Sequence, residues 1–286
     1  MRDSVSPEIK TFTGEPFLKW AGGKTQLLTK LAPFFPKKFN TYFEPFIGSA
    51  AVFFYLRRIL GYFPATLIDS NNELINCYEM VRDKVGSLIP LLNQHKERHG
   101  KNYYYEVRRQ DPAKLKKLQR AARLIYLNKV CYNGLYRVNS KGQFNVPMGS
   151  YKNPGIFDKG NLLAASESLK GATLLSGDFT SVLGIAREGD FIYFDPPYYS
   201  ESDGFTGYAV TASGIPHFGA DEHWRLFEVV KELDARGCSI IVSNSDTEYV
   251  RRIYKDFTLK KVGAYRLINR ISAGRGPVIE LVITNA

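Results

Sequence analysis

The stretch "FIYFDPPYY" limits the fold of this chain more than any other segment. Phe191 to Phe194 reads as a hydrophobic strand with Asp195 at its C-terminal end. Pro196 and Pro197 then stiffen the chain and remove two backbone donors, which leaves their carbonyls free to accept. A carboxylate and a proline carbonyl with no donor beside them suit a group that presents two N–H bonds, such as an exocyclic amine. Tyr198 follows at once and can stack on the ring that carries such an amine. Taken alone, the segment would also serve as a Pro-Pro turn with Asp195 as a cap.

A strand that ends in an acid recurs along the chain. "TYFEPFIG" (Thr41 to Gly48) is a short apolar run ending in glycine, and "SAAVFFYLRRIL" behind it reads as a helix. Ala65 to Ile68 forms a second strand with Asp69 at its end, followed by Leu74, Ile75, Tyr78 and Val81 at helical spacing behind an Asn/Ser cap. This βαβα opening predicts an α/β fold, with ligands bound outside the carboxyl ends of the strands, where Glu44 and Asp69 both fall. The rhythm breaks from about residue 94 to 154, a helical, basic stretch that becomes rich in Asn, Gly, Tyr and Pro, and resumes with "ATLLSGDF". An inserted domain accounts for the break, giving a tail over 1–15, a main domain over 16–93 and 155–286, and an insert over 94–154. "ADEHWRLFEVVKELDARG" is an amphipathic helix, "CSIIVSNSD" a buried strand, and "FTLKKVGAYRLI" with "PVIELVIT" an antiparallel sheet edge.

Charge is concentrated in the insert. The chain carries 39 basic and 28 acidic residues, a net of +11 that points to a polyanionic partner. Between Lys96 and Lys141 stand 13 Lys/Arg and three acids, a net of +10 in 46 residues. Tyr103, Tyr104, Tyr105, Tyr126, Tyr132 and Tyr136 are interleaved, as suits a surface that neutralises phosphates and stacks on bases. A solvated helix face with core tyrosines is the alternative reading.

Other chemistries fit poorly. Gly23-Lys24-Thr25 suggests a phosphate-binding loop, but the first glycine of that motif would fall at Leu18, and no strand precedes it. Cys77, Cys131 and Cys238 lack C-x-x-C spacing, which argues against zinc or a disulfide framework. No apolar run approaches the about 20 residues of a membrane helix, and no signal peptide is evident, so a cytoplasmic location is expected.

"FLKWAGGK", "FEPFIGSAAVFF", "IDSNNELI", "YLNKVCYNGLYRVNSKGQFNVP" and "FIYFDPPY", in this order, closely resemble the Dam-type DNA adenine-N6 methyltransferases, the α-arranged, D12 class I group. The resemblance implies a Rossmann-like domain that binds S-adenosylmethionine and an inserted, mainly helical target-recognition domain that reads double-stranded DNA. It implies methyl transfer to N6 of a flipped-out adenine, within GATC or a related short palindrome, by a monomer that uses no metal and can be paired with a restriction endonuclease. Cytosine-N4 methylation, which also acts on an exocyclic amine, is the alternative.

By the same resemblance Asp195, Pro196, Pro197 and Tyr198 are catalytic. Trp20, Ala21, Gly22, Gly23 and Lys24 would pack over the cofactor, and Glu44, Pro45, Phe46 and Gly48 would form its methionine-side loop. Asp69 with Ser70 would take the ribose, Asp178 and Phe179 would flank the adenine ring, and Asp195 would border this pocket too. For DNA, Lys19 would reach a target base, Tyr132 and Asn133 would approach the vacated target site, and Leu135 and Arg137 would meet base edges, with Asn139 and Pro147 nearby. The chain departs from the pattern at Ser150, where "NVPxGRYKxP" often carries arginine.

Overall fold

The computed structural model describes residues 12–200, 218–265 and 277–285. Most of the expected N-terminal tail and the end of the strand predicted through Ile268 lie outside them. Among the described residues seven strands form one sheet: β1 Tyr42–Glu44, β2 Ala65–Asp69, β3 Ala172–Ser176, β4 Phe191–Phe194, β5 Ser239–Ser245, β6 Thr258–Tyr265 and β7 Pro277–Thr284. Their order is β3-β2-β1-β4-β5-β7-β6. The first five run parallel, and β7 is antiparallel to both its neighbours, so the closing pair forms the expected antiparallel edge.

All four residues of β4 are buried, because β1 and β5 flank it and apolar layers cover both faces. One layer holds α1 (Leu28–Leu31), α2 (Ala51–Leu60), α3 (Asn72–Glu97) and α6 (Lys159–Leu169), which share a core with Tyr42, Leu67 and Tyr193. The opposite layer holds α7 (Ala220–Ala235) and α8 (Glu248–Ile253) against Phe43, Ile192, Phe194 and Val242. The parallel order reverses between β1 and β4, so the chain leaves these neighbouring strands in opposite directions and opens a crevice at their carboxyl ends. Glu44 and Asp195 stand at its lips. The fold is thus α/β with a Rossmann-like sheet, and among the described residues no helix is long and apolar enough to cross a membrane.

The basic stretch contains α4 (Lys101–Arg109) and α5 (Lys117–Val130), then a loose hairpin bridged at Cys131–Met148 and Val138–Phe144. Residue 94 falls inside α3, which runs on to Glu97 and packs along α5. Ala121, Ala122, Leu124 and Ile125 of α5 join the main core, whereas Tyr104, Val107, Tyr126, Leu127, Phe144 and Val146 form a smaller core of their own. Part of the basic charge is consumed internally. Arg120 pairs with Glu73, Lys117 with Glu79, and buried Arg123 donates to the Val107 and Arg108 carbonyls at the end of α4.

Candidate active site

Each acid at a strand end is held by its own local geometry. Asn71 caps α3, accepting from the Glu73 and Leu74 amides, and Asp69 Oδ1 accepts from the Asn71 amide at 2.9 Å. Its other oxygen, Oδ2, accepts from the Gly48 amide at 3.4 Å. Glu44 turns under the first turn of α2, where Oε2 accepts from the Phe53 amide at 3.2 Å and the Tyr42 hydroxyl at 2.9 Å. It therefore acts as a remote cap for a helix whose own N-cap, Ala50, has no side chain to offer. Ser70 is exposed beside Asp69, and Pro45 is buried behind Glu44.

The glycine-rich loop closes the crevice from the other side. Gly22 has φ +79°, and the chain turns there so that the buried Lys24 points inward. Its Nζ lies 2.7 Å from Asp195 Oδ1, donates to the Gly22 carbonyl at 2.7 Å, and sits 4.8 Å from the centroid of the Tyr198 ring. Ala21, Gly22 and Gly23 are exposed. Trp20 packs onto Gly48, where φ is +46° and a Cβ would lie 2.9 Å from the indole Cδ1.

Burial pushes three carboxyls up: Glu44 to about 8, with neighbouring Asp195 adding to the rise, and Asp69 to about 6. Asp195 is also pushed up to about 6, chiefly by burial and less by Glu280, while Lys24 pulls it down. Such a cluster, with Lys24 the cation at its centre, is built to receive further positive charge or N–H donors. Beyond Asp195, Pro196 is buried and Pro197 exposed. The Tyr198 hydroxyl donates to Glu280 Oε2 at 2.6 Å, and the Tyr199 amide donates to Asn244 Oδ1, so β5 and β7 fix the loop.

An aromatic cluster adjoins the acids. Phe46 and Phe179 stack at 5.4 Å with planes 26° apart, and Phe218 meets both edge-on. Asp178 caps the short 3-10 helix that begins at Phe179 and pairs with Arg225 at its exposed rim.

Lys19 lies exposed where the glycine-rich loop meets the hairpin. Its Nζ donates to the Lys129 carbonyl at 3.3 Å and lies 4.3 Å from the centroid of the exposed Tyr151 ring. Tyr132 is also exposed, and Asn133 adopts φ +53° in the turn between it and Gly134. Leu135 packs on the small core, while Pro147 is exposed and its carbonyl accepts from the Tyr132 amide. Arg137 donates to both the Asn145 side chain and carbonyl, and Asn139 to the Gln143 side chain, so both brace the hairpin. Ser150 is exposed.

Sequence reasoning missed Glu280, Asn244, Asn128 and Tyr151. Motif spacing holds no trace of Glu280 and Asn244, which strand pairing brings in, whereas Asn128 stands inside "YLNKVCYNGLYR" and only tertiary packing shows its role. An exposed aromatic in "GSYK" was the available signal for Tyr151.

Comparisons with known proteins place the whole chain in a family. A type II methyltransferase, M1.LlaDCHI of Lactococcus lactis subsp. cremoris, is 43% identical over 278 residues, 94% of this chain and 95% of its own. The type II methyltransferase M.MjaIII of Methanocaldococcus jannaschii is 39% identical, covering 95% of this chain and 99% of its own. A DNA adenine methylase of Haemophilus influenzae is 34% identical, covering 98% and 96%. The sequence model of the D12 class N6 adenine-specific DNA methyltransferases matches residues 20–268, from Trp20 of the glycine-rich loop through the strand-end acids and on into the closing hairpin. With acids at three strand ends and a fixed DPPY loop inside that match, this chain belongs to the D12 class N6 adenine-specific DNA methyltransferase family and is an adenine-specific DNA methyltransferase.

Proposed function

We propose that the enzyme uses S-adenosylmethionine to methylate N6 of an adenine flipped out of duplex DNA, within GATC or a related short palindrome. The observation that carries this reading is the seat of Lys24 Nζ, a nitrogen donor held against the Asp195 carboxylate over the Tyr198 ring. An amine on a flat ring needs the same two partners. Inside a duplex that amine is hydrogen-bonded and unreachable, so the base must leave the stack.

The donor set suits the proposed cofactor: an incoming cation would ionise the raised carboxyl of Glu44, which complements the positively charged methionine end, and Asp69 can accept from the ribose hydroxyls. Trp20, Ala21, Gly22, Gly23, Glu44, Pro45, Phe46, Gly48, Asp69, Ser70, Asp178 and Phe179 would hold it. When bound it supplies an electrophilic methyl group. Asp195 and the Pro196 carbonyl then accept the two amine N–H bonds, and Tyr198, held by Glu280, stacks on the base. Asp195 is the nearest acceptor for the proton that the amine must shed. Catalysis here is positioning and electrostatics without a covalent enzyme intermediate.

The insert over 94–154, with Lys19, would read DNA through Tyr132, Asn133, Leu135 and Arg137. Two relatives named type II methyltransferases support pairing with a restriction endonuclease. Transfer of labelled methyl from S-adenosylmethionine into duplexes, followed by nucleoside analysis, tests the proposal. N6-methyladenine is expected, while N4-methylcytosine or no label in DNA would overturn it.

A further inference from the structure

Asn128 is fully buried near the end of α5, and every polar group of its amide is engaged. Oδ1 accepts from the Lys19 amide at 2.8 Å, and Nδ2 donates to the Lys19 carbonyl at 2.6 Å and the Gly134 carbonyl at 2.9 Å. One side chain thus pairs both backbone groups of Lys19, 109 residues away in sequence, and ties them to Gly134 in the turn at the base of the hairpin. The two loops touch with no slack. Gly134 has φ +64°, and a Cβ there would lie 2.4 Å from Lys19 Cβ. Next to Lys19, Trp20 stacks on Tyr136 of the hairpin at 5.5 Å with planes 24° apart. Trp20 rests in turn on Gly48, whose amide donates to Asp69.

We propose that Asn128 is a positioning residue that couples the DNA-reading hairpin to the cofactor loop, so that DNA and cofactor tighten each other's binding. The inference rests on the functional reading above. A hairpin displaced by DNA must carry Lys19 and Trp20 with it, because neither Asn128 nor Gly134 leaves room for independent movement. Trp20 and Gly48 then pass the shift to the Asp69 end of the pocket. A coupling between two sites is reciprocal, so either ligand can report it.

The test measures S-adenosylhomocysteine affinity by calorimetry, with and without a duplex carrying the methylated sequence, and duplex affinity with and without S-adenosylhomocysteine. In the native enzyme each ligand should tighten the other at least about fivefold, the lower end of typical coupling. Asn128→Asp keeps size and the acceptor for Lys19 N–H but turns carboxylate oxygen toward the Lys19 and Gly134 carbonyls. Its ratio should fall to about one. Tyr136→Leu, which removes the Trp20 stack from the half-buried hairpin side, should also lower the ratio, and it decides the matter alone if Asn128→Asp does not fold.

A purely structural role predicts lower melting temperatures and weaker binding of both ligands with the ratio unchanged, and that result overturns the inference. So does a native enzyme that binds both ligands independently, although the functional reading then stands. A native enzyme that binds neither ligand overturns the functional reading, and the inference with it.

Discussion

Lys24→Met removes the cation 2.7 Å from Asp195 Oδ1 while keeping most of the aliphatic stem that fills this buried position. Asp195 must be ionised to accept an amine N–H, so activity rises with pH through its pKa, which lies at about 6 with Lys24 beside it. Lys24 favours the charged form and therefore lowers that value. An opposite charge at this range moves a carboxyl by roughly 1–3 units, so the variant should titrate between about 7 and about 9. At pH 7 the ionised fraction then drops from about 0.9 to between about 0.5 and about 0.01, a loss of about twofold to about a hundredfold. The loss should disappear by about pH 9 to 10, where Asp195 is again charged. The assay is kcat/KM for the duplex against pH, which reports the free enzyme's groups. An acid limb in the variant at the same midpoint as in the native enzyme, or a loss equal at every pH, would refute the assignment of Lys24 as the group that keeps Asp195 ionised.

Other substitutions probe different parts of the site and fold. Glu280→Ala frees the Tyr198 hydroxyl and should lower kcat while leaving S-adenosylhomocysteine affinity unchanged, with Glu280→Gln restoring most of the rate; equal loss in both would mean that the Tyr198 contact is not what matters. Arg137→Ala should cost about 1–3 kcal/mol and relax discrimination at one target position, measured on single-base variants of the duplex. Asn145→Ala, which removes the side-chain partner of Arg137 Nε but leaves the carbonyl at 145, should not relax that position if the arginine reads a base rather than shaping the hairpin. Arg57 is fully buried among Phe12, Phe53, Tyr62 and Phe63 with Nε and Nη1 lacking hydrogen-bond partners, so Arg57→Met should leave the melting temperature unchanged or raise it.

The parts of this enzyme legible in its sequence are those fixed by local rules. Asn71 announces the start of α3 because a short polar side chain before an apolar periodic run satisfies free amides. The acids at the ends of β1, β2 and β4 are legible because each closes a short apolar run at the point where the strand gives way to a loop. The clasp of Tyr198 by Glu280 is not, since 82 residues separate them and only the reversed strand β7 brings the carboxylate back. Charge was readable as a total but not by destination. Arg120, Arg123 and Lys117 lie within the most basic stretch, yet they tie α5 to α3 and cap α4, because partners such as Glu73 and Glu79 lie outside the stretch that the charge count covers. Nor could composition show that the apolar face of α5 enters the main core, where Leu124 and Ile125 meet helices that precede the basic segment.

The most direct test of the site is single-turnover methylation by Asp195→Ala, with S-adenosylhomocysteine binding followed in parallel. Removing the carboxylate takes away an acceptor for the amine but leaves Glu44, Asp69 and the Phe46–Phe179 pair in place. Methyl transfer should fall by at least about two orders of magnitude, as for the loss of one preorganised electrostatic group, while affinity for S-adenosylhomocysteine changes by less than about threefold. Transfer within about tenfold of the native rate would contradict the account, because Asp195 would then not be the group that holds the amine.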